Sequence, residues 1–359
     1  MATNTISVVE LADGIADAPI LGDGGAVLYP LLIVDLDDAP DSVLERAAER
    51  ARASDHLLVG RFTGDAIDES ALAPLLEALD LTYAAGADPR SSTVVGTDDL
   101  DASLSAFSDA VAQNPHASLV VRHVLRAADT VGVAAAIDIE SLGYSTLQGG
   151  PEFLRWLDER GSRPLPPPAP ADPVLLTRDG ETLRITLNRP ERRNAYGTQL
   201  RDALVEALRL AELDDSIEHV VVDGAGPSFC AGGDLDEFGR TPDTAIAHMI
   251  RTRGGAGRLV ARLADRLEVR VHGHCVGAGI EIPAFANRVV AAPGTVFRLP
   301  EVSMGLIPGA GGTASVPRRI GRWRAMHLFV TASPLEVDRA LVWGLVDEVT
   351  ESGSQLRAG

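Results

Sequence analysis

Two glutamates in this chain, Glu281 and Glu301, stand twenty residues apart, each next to a glycine-rich segment. Two carboxyl groups that share one water and differ in pKa form an acid–base pair: one takes a proton and the other delivers one. Twenty residues are too many for one helix face, so only tertiary folding can bring the two together. Glu281 ends the run Gly277-Ala278-Gly279-Ile280-Glu281, in which the glycines permit a tight turn and a close backbone approach to a ligand. The pattern predicts a strand, a turn and a short helix whose first N–H groups lack intrahelical acceptors and carry partial positive charge. An oxyanion placed there is stabilised. Glu301 follows Pro300 after a second strand, on a loop that leads into the glycine-rich stretch 305–312.

The surrounding pattern supplies elements able to hold these groups. Residues 27–36 read as a buried strand, 41–53 as an amphipathic helix, 56–61 as a strand and 69–85 as a helix. A strand–helix–strand order returns at 183–187, 199–213 and 219–223. This leaves two readings of the amino-terminal part: a degenerate copy of the same βαβ unit, or an unrelated one. No periodicity is discernible in residues 1–26, and residues 104–159 are mostly helical. Residues 163–173, RPLPPPAPADP, form a proline-rich linker of polyproline II type. The expected organisation is an amino-terminal α/β and helical region over 1–162, the linker at 163–173, and a catalytic core over 174–359.

Composition narrows the function classes. The 359 residues are 45% hydrophobic and 23% charged, enough for a large core and a length prior of about two domains. The net charge of −19 argues against nucleic acid or an anionic membrane as partner. All 32 basic residues are arginine, so neither a Schiff-base lysine nor a P-loop lysine is available. The cysteines, Cys230 and Cys275, have no metal-ligand spacing and read as reduced packing residues; no metal site is expected. No apolar run reaches the roughly 18 residues of a membrane span, and no secretory pattern opens the chain. The expectation is a soluble cytoplasmic protein.

Four blocks occur in order: ITLNRPERRNAY at 185–196, GPSFCAGGDLDEF at 226–238, GHCVGAGIE at 273–281 and LPEVSMGLIPGAGGT at 299–313. Through them, residues from about 175 to 349 resemble the enoyl-CoA hydratase/isomerase (crotonase) superfamily. The resemblance implies an α/β crotonase-like ββα spiral fold, here with an α/β, helix-rich amino-terminal region. It also implies a coenzyme A thioester as substrate with no permanently bound cofactor, and a homotrimer or hexamer. Carried over by position, Gly233 and Ala278 would give the two oxyanion N–H groups, and Glu281 and Glu301 the two acids. Arg192, Arg193, Ala195, Ala231, Asp234 and Leu235 would lie along the coenzyme A moiety. Arg189 belongs to the same basic cluster, which on its own reads equally as a solvated turn.

Several positions depart from the pattern of the resemblance. Pro283 lacks an N–H for the helix ladder, so a kink and a displaced Glu281 are among the expectations. Glu268 and Arg270 put charge into a strand that is usually apolar, and His272 and Asn287 replace an asparagine and an aspartate. His272 and His274 have no partner at a recognisable spacing. The helices that usually follow the core are missing after the GLVDEV block at 344–349. Residues 104–160 would supply equivalent helices, or would form an unrelated accessory domain. The leading function is hydration of a 2-enoyl-CoA. The alternatives are an isomerase or other acyl-CoA lyase using Glu301 alone, or a non-catalytic acyl-CoA-binding protein.

Overall fold

A computed structural model describes residues 4–241 and 243–350. The amino-terminal region opens with β1 (Asn4–Ser7) and α1 (Val8–Ala12), joined at Ser7, whose hydroxyl caps the helix through the Glu10 N–H. Then come β2 (Leu31–Asp35), α2 (Leu44–Ala53), β3 (Leu57–Phe62), α3 (Glu69–Ala78), β4 (Leu81–Ala84) and β5 (Val95–Gly96). The five strands form one sheet in sequential order, parallel throughout. Two segment expectations change here. Residues 1–26 carry a strand and a helix, and the helix expected over 69–85 stops at Ala78. The chain turns at Leu79-Asp80, and residues 81–84 become a fully buried strand.

A parallel sheet must be covered on both faces. Alternation along β2 and β3 splits their side chains accordingly. Leu32, Val34 and Leu58 pack with Leu11, Ala47 and Leu75 of α1, α2 and α3. Ile33, Leu57 and Val59 face the other way, into a core shared with the rest of the chain. α4 (Leu100–Gln113) lies against β4 on the sheet, followed by α5 (Pro115–Ala128), α6 (Val133–Gln148) and α7 (Pro151–Arg160). The helical expectation for 104–159 is met by these four.

Beyond the linker, β6 (Val174–Asp179) and β7 (Thr182–Leu187) form an antiparallel hairpin. The chain continues through α8 (Thr198–Leu213), β8 (His219–Gly224), α9 (Thr244–Gly254), α10 (Gly257–Arg262) and β9 (Leu267–Val271). From there it alternates between two sheets. β10 (His274–Val276) leaves the main sheet and leads to α11 (Ala278–Glu281); β11 (Arg288–Ala291) returns to it; β12 (Val296–Arg298) joins β10. After α12 (Gly312–Ile320) and α13 (Arg322–Thr331), β13 (Leu335–Glu336) closes the small sheet. α14 (Val337–Trp343) then leads to β14 (Glu348–Val349) at the edge of the large one. Each turn thus gives one strand to each sheet, which is the ββα spiral. In β9 the expected exposure of Glu268 and Arg270 is half-exposure: Leu267, Val269 and Val271 are buried, and the two charged side chains pair with each other on the outer face.

The amino-terminal region and the spiral form one packed body. α5 and α6 lie against α12, and α13 against α4 and α5. Phe329 and Trp343 are buried with Met326, and the Trp323 indole donates to the Leu79 carbonyl. Among the described residues no helix is long and apolar enough to cross a membrane.

Asp80 locks this arrangement. Its carboxylate accepts from the Leu58 N–H (2.9 Å), Arg122 Nε (2.8 Å) and Arg126 Nε (2.7 Å), tying β3 and the start of β4 to α5. Asp80 and Arg122 are almost completely buried, so removing the acid strands a buried guanidinium. Asp80→Ala is expected to lose about 3–5 kcal/mol of stability, read from denaturant midpoints. A loss below about 1 kcal/mol would mean that the pair does not lock the layers.

Candidate active site

Parallel bridges set the Cys230 segment beside Cys275, and the Gly233 segment beside Tyr196. The Val276 N–H donates to the Cys230 carbonyl (3.0 Å), so the two glycine turns lie side by side. Gly279 has to be glycine because a Cβ there would run into the Cys230 carbonyl oxygen. Both cysteines are free and buried at this junction, as packing residues. Among the described residues neither the Gly233 nor the Ala278 N–H has an acceptor, and both residues line one cavity of about 340 Å³. Two unsatisfied N–H groups on one cavity have the chemistry of an oxyanion hole.

Glu281 and Glu301 line the same cavity. Gly277, with φ +48°, lets both carboxyls approach its Cα: a Cβ there would collide with Glu301 Oε1 and lie 3.6 Å from Glu281 Oε1. The fold thus brings together what the sequence separates. Pro283 does not displace Glu281. α11 ends at Glu281 with its N–H bonded to Gly277 O (2.9 Å), and Pro283 begins a separate 3₁₀ turn, where it has no helical bond to break.

The second glycine-rich segment holds Glu281 from the front. The Ala310 and Gly312 N–H groups donate to its Oε2 at 2.7 and 2.9 Å. The two amides between and beyond them serve a different acid. Gly311 and Thr313 N–H donate to Glu140 Oε1 and Oε2, both at 2.7 Å, and Thr313 Oγ1 adds a third bond to Oε2 at 2.8 Å. Glu140 comes from α6, 141 residues away from Glu281. Sequence reading missed it because it has no spacing to any motif. One signal was available: Glu140 sits on the face of Ala136, Ile137 and Tyr144, which is buried, and an acid on such a face needs a partner.

The three acids differ in environment. Burial pushes Glu281 up to about 7 against the downward pull of the Ala310 and Gly312 amides. Burial, and then the charge of Glu281, push Glu140 up to about 8 against the Thr313 and Gly311 bonds. Glu301 is buried and its Oε2 accepts no hydrogen bond among the described residues. Burial first and Glu281 second hold it well above the usual carboxyl range. Glu281 thus has two backbone N–H donors from the 310–312 segment on Oε2, while Glu301 Oε2 has none among the described residues.

Gly233, Ala278, Glu281 and Glu301 are brought to one cavity; the coenzyme A candidates are more scattered. Asp234 lines the cavity, buried and ion-paired with Arg192 (2.6 Å), which also pairs with Asp236 (2.8 Å). Arg192 is thus already neutralised. Arg189 is buried and donates to Glu191 and to the Pro167 carbonyl of the linker. Arg193 is exposed. Ala195, Ala231 and Leu235 lie outside the cavity lining, and the Leu235 carbonyl accepts from Arg160 of α7. His272 Nε2 donates to the Gly226 carbonyl at 2.9 Å, and neither it nor His274 lines the cavity.

Carboxyls whose pKa values are raised on folding bind more protons in the folded chain than in the unfolded one. Stability is therefore expected to fall as pH rises from about 4.5 to about 8. Denaturant midpoints near pH 5.5 and near pH 8 check the sign, and Glu140→Gln should flatten the slope by removing one titrating group. A midpoint that climbs over this range would contradict the assignment.

The comparisons with known proteins place this geometry. The family model described as enoyl-CoA hydratase/isomerase matches residues 178–357. A 1,2-epoxyphenylacetyl-CoA isomerase of Escherichia coli is 35% identical over 174 residues, 47% of this chain and 66% of that protein. A 2,3-dehydroadipyl-CoA hydratase of the same organism is 34% identical over 182 residues, covering 50% of this chain and 69% of the relative. The solved structure of an enoyl-CoA hydratase from Mycobacterium smegmatis has 30% identity and a TM-score of 0.48, covering 51% of this chain and 72% of that one. The chain thus spans about two thirds of the length of these curated relatives. With the four blocks, the spiral and this family match in agreement, the chain belongs to the enoyl-CoA hydratase/isomerase (crotonase) family.

Proposed function

We propose that the protein is an enoyl-CoA hydratase. The observation that carries the reading is the pair of buried acids at Gly277: Glu281 bound by two N–H groups, and Glu301 without a donor on Oε2. The thioester carbonyl of a 2-enoyl-CoA takes the N–H groups of Gly233 and Ala278, which favour the enolate-like state over the neutral ground state. Glu281 takes a proton from water as its oxygen adds to the β-carbon. Glu301 delivers its proton to the α-carbon, and the addition is syn because both acids lie on one side. Burial of both acids keeps bulk water from competing for the protons.

In this reading α6 and α7 do what the resemblance assigns to helices after the core. α6 lines the cavity with Ile137, Glu140 and Tyr144, and α7 sets Trp156 against Phe238 and Arg160 on the Leu235 carbonyl, bracing the loop that presents Gly233. Arg193 is the cluster arginine left to meet a coenzyme A phosphate. A homotrimer or hexamer goes with the reading. The second reading is an isomerase using Glu301 alone. It is favoured by the amide bonds that hold Glu281 Oε2, and the curated relatives include an isomerase as well as a hydratase.

Glu281→Gln separates the two. A hydratase is expected to lose about 10²- to 10⁴-fold in hydration of crotonyl-CoA, while an isomerase keeps most of its 3-enoyl to 2-enoyl activity. Glu301→Gln should abolish α-proton exchange into deuterated water under either reading. Acyl-CoA binding without any exchange in the unsubstituted protein would leave a binding protein and sink both.

A further inference from the structure

Three arginines line the cavity, and they differ in one respect. Arg201 is paired with Asp202 at 2.7 Å, and Arg258 with Asp138 at 2.6 Å. Arg251 of α9 has no carboxylate partner among the described residues. Its bonds go to neutral oxygens: Nε to Ser141 Oγ (3.0 Å), Nη1 to Gln148 Oε1 (3.1 Å), and Nη2 to the Ser141 carbonyl (3.4 Å) and to Ser145 Oγ. These bonds use four of the five guanidinium N–H groups and leave one on Nη1 without an acceptor. The guanidinium also lies 4.3 Å from the centroid of the Tyr144 ring. It is thus fixed from several sides without an ion pair, and the charge of Glu140 reaches it only from beyond bonding distance.

Its place along the cavity follows from the same contacts. The Tyr144 ring lies against Gly309, and the next amides of that segment hold Glu281 and Glu140. Arg251 therefore stands one aromatic layer beyond Gly309 and the amides that hold Glu281 and Glu140. Arg251 is half-buried, and a half-buried cation whose bonds all go to neutral oxygens is relieved by an anion that a ligand brings in. Neither Glu140 nor Glu281 meets this need directly. Both Glu140 oxygens and Glu281 Oε2 are taken up by backbone amides, and neither acid forms an ion pair with Arg251.

We infer that Arg251 is a specificity residue for an acyl chain that ends in a carboxylate, so that the substrates are mono-CoA thioesters of dicarboxylic acids. The inference rests on the acyl-CoA reading above and extends it to the far end of the acyl group. Ser141, Ser145 and Gln148 preorganise the guanidinium, which lowers the ordering cost when the carboxylate arrives. The Nη1 N–H without an acceptor gives the first bond, and Gln148 is close enough to yield or add a second.

The test is binding of unreactive saturated ligands to the full chain, followed by calorimetry. Succinyl-, glutaryl-, adipyl- and suberyl-CoA are each compared with the neutral acyl-CoA of the same carbon count. At least one dicarboxylic ligand is expected to bind about 10- to 100-fold more tightly than its neutral match, the range for a hydrogen bond to a charged group. Arg251→Met should remove that preference and leave neutral acyl-CoA affinity within about threefold. Equal binding of every matched pair by the unsubstituted protein overturns the proposal. So does a Met variant that weakens both ligand classes alike, which would assign Arg251 to a coenzyme A phosphate or to balancing the glutamates. A dicarboxylate preference with no hydration of the matching 2-enoyl-CoA would sink the hydratase reading and leave this one standing.

Discussion

Four consecutive backbone amides, Ala310 to Thr313, are shared in alternation between two acids 141 residues apart in the chain. They lead into the first turn of α12, where N–H groups lack helical acceptors and the helix dipole favours negative charge. Glu281 takes the first and third amides, and Glu140 the second and fourth. Neither acid could be buried this deeply without them, because an unpaired carboxyl loses its hydration and gains nothing in return. The segment in turn is fixed in register by both. The hydroxyl of Ser315, one turn into α12, donates to the Glu281 carbonyl and closes the arrangement from behind.

This arrangement makes the amino-terminal region part of the site. α6 reaches the cavity because α5 and α6 pack on α12. α5 is held to the amino-terminal sheet by Asp80, and that sheet shares its inner face with the core of the spiral. The chain of packing therefore runs from Ile33 and Val59 through the helices to Glu140. Burial also sets the electrostatics. Glu281 Oε2 is steadied by two amides while Glu301 Oε2 has no donor among the described residues, so two acids of the same type sit in different surroundings.

Legibility from the sequence followed the range of the interaction. The glycine turns and the approach of Gly233, Ala278, Glu281 and Glu301 to one cavity were readable, because a turn with φ > 0 and the residue after it are fixed by neighbours in the chain. The boundary of α3 was not. Residues 69–85 look continuously helical, yet Asp80 is pinned by Leu58, Arg122 and Arg126, and the chain after it completes a sheet. The basic cluster at 189–193 read as free charge, but Arg192 faces Asp234 and Asp236 and Arg189 is buried. Pro283 looked like a threat to Glu281 and proved to start a new turn.

The sequence by itself determined the family, the two motif acids and the glycine turns beside them, because these depend on backbone freedom and residue type within a few positions. The tertiary structure decided how differently the acids are surrounded, that a third carboxyl enters from α6, and that Arg251 forms no ion pair among the described residues. Those properties come from desolvation and from partners more than a hundred residues away, and no local pattern encodes them.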